Sequence, residues 1–231
     1  MKKKIIFIAS TAVFLAVEDL LGYLLQVREG REVAFFSFLS IILACAFFFV
    51  FFELSKDYFL TQAALICTVC ADYFLVWLDP REQLPAMIFF SFTQLFYFAR
   101  IFLADENKTR RIVHISLRAG LSAIAVIATL IVLGEKADAV ALVSLFYYAN
   151  LAVNIIFALA EFKKHYILAI GLVLFLLCDT VIGLTLIGGY LTIPADSFIY
   201  KIIYPGFNLA WVFYLPSQAL IASSLLPKKL K

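Results

Sequence analysis

Hydrophobic positions in this chain come in long blocks broken by short polar segments, with little alternation between the two. Blocks of about 20 mostly apolar residues fall at roughly 4 to 26, 34 to 54, 58 to 78, 84 to 103, 112 to 134, 138 to 160, 166 to 190 and 203 to 225. Each is long enough to cross a hydrocarbon core as a helix. The pattern predicts an all-α polytopic membrane protein, a bundle of eight transmembrane helices in one integral-membrane domain over residues 1 to 231. The breaks "REGRE", "LDPREQLP", "LGEKAD" and "TIPADS" put Pro, Gly and Asp where the chain must reverse, and "ADENKTRR" is the longest connection. So little chain is left over that no soluble domain is expected. The first block is too long for a signal-peptide core and lacks a small-residue cleavage pattern, so it reads as a retained anchor.

Composition agrees with this reading: the chain is 65% hydrophobic with 25 Phe, and its mean hydropathy is +1.01, outside the range of soluble domains. The net charge of +3 calls for no nucleic acid, because the cations follow topology. Eight crossings put both termini on one side. That side collects Lys2, Lys3, Lys4, Lys56, Arg100, Lys108, Arg110, Arg111, Lys163, Lys164, Lys228, Lys229 and Lys231, against Arg28, Arg31, Arg81, Lys136 and Lys201 opposite, with Arg118 just inside a helix. The excess marks the first side as cytoplasmic and implies a multi-pass protein of a bacterial cytoplasmic membrane with both termini inside. Cys45, Cys67, Cys70 and Cys178 all fall within predicted helices. No disulfide is expected, and the Cys67-x-x-Cys70 pair reads as buried thiols, without the loop or strand context of a redox or metal site.

Four acidic residues break the pattern, because Glu18, Asp19, Asp72 and Asp179 lie well inside predicted spans. An Asp near the centre of a spanning helix costs roughly 2.5 to 3.5 kcal/mol, while each Leu, Ile, Phe or Val contributes about 0.3 to 0.6 in the opposite sense. The third span has enough apolar residues to insert with its Asp, but not enough to make it free. The third and seventh spans run in the same direction, so their aspartates can share a depth toward the non-cytoplasmic side. Helical spacing puts Thr61, Ala64, Thr68 and Asp72 on one stripe and Gly171, Phe175, Asp179 and Gly183 on another. Small residues permit close helix approach, so both stripes are expected to face the bundle interior. Ser91 and Gln94, then Tyr147, Asn150 and Asn154, then Tyr204, Asn208, Trp211 and Gln218 extend this polar interior to three more helices. Trp211 reads as packing or interfacial anchoring, and His114 and His165 as solvated residues at cytoplasmic helix ends.

Two carboxyls close together in a low-dielectric interior tend to hold one proton between them, which supplies one acid and one base. That equipment suits hydrolysis by protonation of one substrate atom and activation of water against another. It also suits a proton-coupled small-solute transporter, and a non-catalytic lipid-binding protein could bury hydrogen-bonded acids for packing alone. No spanning segment carries a central Lys of the kind a retinal Schiff base needs, Lys201 falling in a predicted loop. No H-E-x-x-H, G-x-S-x-G or phosphate loop is present, and two His supply an intramembrane zinc site poorly.

The segments "SKDYFLTQAALICTVCADYFLVWL", "MIFFSFTQLFYFARIF", "LFLLCDTVIGL" and "WVFYLPSQALIAS" together resemble the YhhN family of lysoplasmalogenases, eight-helix membrane enzymes, over most of the chain. Lys56 and Asp72 match the family's lysine and first aspartate, Asp179 its second, and Tyr214 and Gln218 its terminal tyrosine and glutamine. Ala71 replaces the usual Gly, Cys178 the usual Ser, Asp57 a common Pro, and Gln94 stands in the place of a family His. The resemblance implies a hydrolase acting on ether bonds, without cofactor or metal, that cleaves the vinyl ether of a lysophospholipid drawn from the membrane. Asp72 and Asp179 are then the catalytic candidates. Lys56, Gln94, Asn150, Asn154, Asn208, Tyr214, Gln218 and Asp19 are the candidates for substrate binding, with Lys56 at the cytoplasmic edge and so suited to a head-group or structural role.

Overall fold

The computed structural model describes residues 2–27, 31–47, 55–78, 83–204 and 206–224, and every element among them is helical. In order these are α1 (Lys2–Val27), α2 (Arg31–Phe47), α3 (Lys56–Asp72), α4 (Gln83–Ala104), α5 (Lys108–Leu133), α6 (Ala139–Ala160), α7 (Phe162–Ile187), α8 (Phe198–Ile203) and α9 (Leu209–Ser223). A π-helical segment, Tyr73–Leu78, continues α3. Several helices start where the sequence provides a cap. The side chains of Ser55, Asn107, Asp138 and Ser197 accept the backbone N–H of Tyr58, Arg110, Ala141 and Tyr200 at 3.2, 3.1, 2.8 and 3.1 Å, a contribution of about 1 kcal/mol each.

Among the described residues, six helical stretches are long and apolar enough to cross a membrane: Ala9–Val27, Lys56–Leu78, Gln83–Ala104, Lys108–Lys136, Ala139–Ala160 and Phe162–Ile187. The other two expected spans are shorter. Of the second, residues 48 to 54 lie outside the described residues, as do Arg28, Arg81 and the lysines at 228, 229 and 231 among the topological cations. The eighth, expected as one helix from 203 to 225, is divided between α8 and α9. Gly206 takes φ 81°, a left-handed conformation that glycine tolerates, and the proline before it in sequence lacks the N–H that helix continuation needs. Lys201, expected in a loop, lies in the last turn of α8.

The closest pairings are α7 with α9 and α3 with α4; α6 bridges α4 and α7, and α1 and α2 flank α9 and α3. α5 packs on α6 from outside and buries only His114 and Thr129 among its residues. Helices in lipid gain little from hydrophobic association, so packing and polar contacts between them decide the arrangement. At the α7–α9 contact Gly171 meets the turn Ser217–Ile221 so closely that a Cβ would lie 2.8 Å from Ile221 Cγ1 and 3.2 Å from the Ser217 carbonyl. At one end of the bundle buried Arg100 donates to Asp57 at 2.7 Å and to Ser224 Oγ at 2.7 Å, which ties α4 to the start of α3 and the end of α9.

Gly171→Ala is expected to lower stability by about 1 to 3 kcal/mol, because the extra methyl must displace Ile221 or the α9 backbone. Gly120→Ala, with nothing within 4 Å of its added carbon, should leave stability unchanged or slightly raised. Thermal unfolding of both variants in detergent checks the pair.

Candidate active site

The site is assembled where α3, α4, α6, α7 and α9 meet. Asp72 is the last α-helical residue before the π-helical segment, a change of winding common at functional positions, and it is 2% exposed. Tyr214 of α9 donates its hydroxyl to Asp72 Oδ2 at 2.6 Å. Asp179 of α7 is half-buried and accepts the hydroxyl of Tyr147 of α6. The adjacent Tyr148 and Thr180 hydroxyls pair at 2.8 Å, so α6 and α7 are held in register by two neighbouring polar contacts. Both carboxyls line one cavity of about 350 Å³. Gln83, Ser144, Tyr147, Tyr148, Tyr214 and Asn208 add further polar groups, and Leu75, Met87, Phe90, Ile182 and Trp211 form much of its apolar wall. Gly183 lines the same cavity and faces open space, so its lack of a side chain leaves room in the cavity without bringing helices together.

The two tyrosines are joined by rings in contact. Tyr147 stacks on Phe90 at 5.6 Å, Phe90 meets Phe175 at 5.8 Å, Phe175 meets Tyr214 at 5.5 Å, and Tyr214 meets Trp211 edge to face at 5.3 Å. Phe175 is fully buried and Tyr147, Tyr214 and Phe90 nearly so. Stiff, packed aromatics of this kind fix the positions of the hydroxyls, and through them the carboxyls.

Of the residues expected from the sequence, Asp72, Asp179, Tyr214 and Asn208 come together here. Lys56, exposed at the opposite end of α3, lies 16 residues from Asp72, or about 24 Å along the helix. Gln94, Asn150 and Asn154 form a separate polar layer. Asn154 Nδ2 donates to the Gln94 carbonyl at 2.9 Å and to its Oε1 at 3.0 Å, while Arg118 donates to the side-chain oxygens of both Asn150 and Asn154. The Arg118 guanidinium also lies 4.2 Å from the centre of the Phe98 ring, so this cation is part of the bundle's interior wiring. Gln218, one turn beyond Tyr214, is fully buried, and among the described residues neither of its amide atoms has a hydrogen-bond partner. Asp19 is exposed on α1 and lines a different cleft. His114 and His165, expected to be solvated, are buried: His114 stacks on Phe157 with ring centres 3.8 Å apart.

Comparison with family models matches residues 33–225 to the YhhN family. The chain belongs to the YhhN family. No curated protein and no solved structure matches it. In this YhhN protein the sequence reading passed over Tyr147 as a site residue, although it stood on the stripe of Asn150 and Asn154, and it assigned Trp211 to packing. Helical spacing shows that such residues share a face; it does not show which depth of that face opens onto a cavity.

Asn154→Leu removes the acceptor of Arg118 and the donor to Gln94, and is expected to cost about 2 to 3 kcal/mol. Because Asn154 is outside the cavity lining, detergent melting should fall while activity per folded molecule stays within about threefold of the parent.

Proposed function

We propose that this protein is a lysoplasmalogenase-like hydrolase of the bacterial cytoplasmic membrane, with both termini inside. In this reading it cleaves the vinyl ether of a lysoplasmalogen to a fatty aldehyde and a glycerophospho-ethanolamine or -choline. The observation that carries the reading is the convergence of Asp72 and Asp179, each held by a tyrosine hydroxyl, on one cavity with apolar walls. Membership of the YhhN family supports it.

A vinyl ether is electron-rich at its β carbon. One aspartic acid donates its proton to that carbon, and the C=C electron pair forms the new C–H bond while the ether oxygen shares the positive charge left on the α carbon. The second aspartate, ionised, lies against this oxocarbenium ion and removes a proton from the water that attacks the α carbon. The resulting hemiacetal collapses: its C–O bond to glycerol breaks as the aspartic acid that took water's proton gives it to the alcohol oxygen, the other aspartate takes the hemiacetal hydroxyl proton, and the aldehyde forms with both acids restored. The sum is one water consumed, with no redox change and no call for a cofactor. Tyr147 and Tyr214 orient the acids and, by donating to them, favour a carboxylate at each in turn as the proton moves. The aliphatic tail has the Met87, Phe90 and Ile182 surface to lie against.

The test incubates purified protein in detergent with a lysoplasmalogen and with its acyl-ester counterpart, and measures aldehyde and free fatty acid by mass spectrometry. The expected result is aldehyde from the first, a bell-shaped pH–rate profile, and a loss of about 10²- to 10⁴-fold in Asp72→Asn and in Asp179→Asn. Tyr214→Phe should retain the fold and lose about tenfold. Absence of aldehyde from the folded parent protein would overturn the reading, as would undiminished rates in both aspartate variants.

A further inference from the structure

A second cleft, of about 440 Å³, is lined by α1 and α9, and Trp211 lines both spaces. Its buried end holds Glu18, 5% exposed. Ser40 of α2 donates to Glu18 Oε2, and among the described residues nothing donates to Oε1. A carboxyl oxygen left without a donor in a membrane protein is costly, and Glu18 is one of the residues that line the cleft. Three further features of the lining bear on what would fill it. Asp19, the next residue, adds a second acid at the cleft's exposed part, and Tyr23 stands exposed one turn along α1. Val212 and Pro216 of α9 both line the space, and Pro216 has no N–H to offer the Val212 carbonyl four residues earlier. That carbonyl is thus relieved of its regular helical donor. Acids, an aromatic pair and a released carbonyl all favour a cation that carries N–H groups.

We propose that the α1–α9 cleft binds the primary ammonium of a phospholipid head group, with Glu18 Oε1 accepting an N–H and Trp211 and Tyr23 against the charge. Trp211 lines both this cleft and the cavity of the two aspartates, and its edge-to-face contact with Tyr214 leads directly to Asp72. The cleft therefore reads the head group of the lipid whose ether bond lies in that cavity. That last step rests on the hydrolase reading above, whereas the ammonium site itself does not. The residue responsible is Glu18, buried and incompletely paired, with its neighbour Asp19 in the outer part of the cleft.

Binding is tested on the full chain in detergent with a saturated ether lysolipid that cannot be hydrolysed, 1-O-hexadecyl-glycerophosphoethanolamine, and with its N-acetyl and N,N,N-trimethyl counterparts. The primary amine is expected to bind about tenfold more tightly than the N-acetyl form, with the trimethyl form between them. In Glu18→Gln, which keeps an acceptor for Ser40, the amine preference should fall below about twofold. Tyr23→Leu, at an exposed position where folding is not at stake, should reduce it partly. Equal affinity for amine and N-acetyl lipid in the parent protein would overturn the proposal, and so would a preference that survives Glu18→Gln. A trimethyl form that binds as tightly as the amine would overturn N–H donation to Oε1. Aldehyde release from a vinyl ether lipid is read in a separate assay: amine preference without aldehyde retires the hydrolase reading and keeps the cleft, and aldehyde without amine preference does the reverse.

Discussion

Everything around the cavity is organised by the cost of keeping carboxyl groups in an apolar bundle. A carboxyl away from water must be given donors by its own protein, and here each aspartate has a tyrosine hydroxyl from a different helix: Tyr214 for Asp72 and Tyr147 for Asp179. Those two bonds join α3 to α9 and α6 to α7. The run of rings through Phe90 and Phe175 then joins the two tyrosines to each other. Polar satisfaction and aromatic packing are therefore a single constraint: a shift of any of these rings would move a hydroxyl and unpair an acid.

The same requirement explains the polar layer away from the cavity. Arg118 enters the bundle from α5, a helix that is otherwise largely exposed, and is held by Asn150 and Asn154 and by the face of Phe98. Asn154 passes the network on to Gln94. These contacts fix the position of α5 and α6 against α4, which in turn presents Phe90 to Tyr147. The Arg118 layer and the aspartates thus draw on the same two helices, α4 and α6, without sharing any side chain. Glu18 has one oxygen supplied by Ser40 and the other buried without a hydrogen-bond partner among the described residues, and it lines a second cleft that shares Trp211 with the first.

Much of this was legible along the chain because the bilayer imposes a strong and simple rule on composition. Long apolar blocks mark helices, and an acid inside such a block stands out. Asp72 and Asp179, expected on helices that run in the same direction, could therefore be considered together from the sequence, and both line one cavity. The break between α8 and α9 was harder to read, since the segment is mostly apolar and Pro205-Gly206 is a short signal for the interruption. Helical periodicity likewise put Tyr147, Asn150 and Asn154 on one stripe without separating the residue that faces a cavity from the two that bind Arg118.

What the sequence by itself determined is the helical class, the membrane setting and the two acids, because each follows from local composition and the energetic penalty of polarity in lipid, and the family, because its motifs stand in the order of residues. What only the tertiary structure decided is which polar residues meet. The partnership of each aspartate with its own tyrosine, the transfer of Gln94, Asn150 and Asn154 to an arginine, and the place of Trp211 in the lining of two spaces all depend on how helices far apart in the chain are rotated and set in depth against one another. Those rotations are fixed by contacts such as Gly171 against Ile221, and no periodicity within a single helix carries that information.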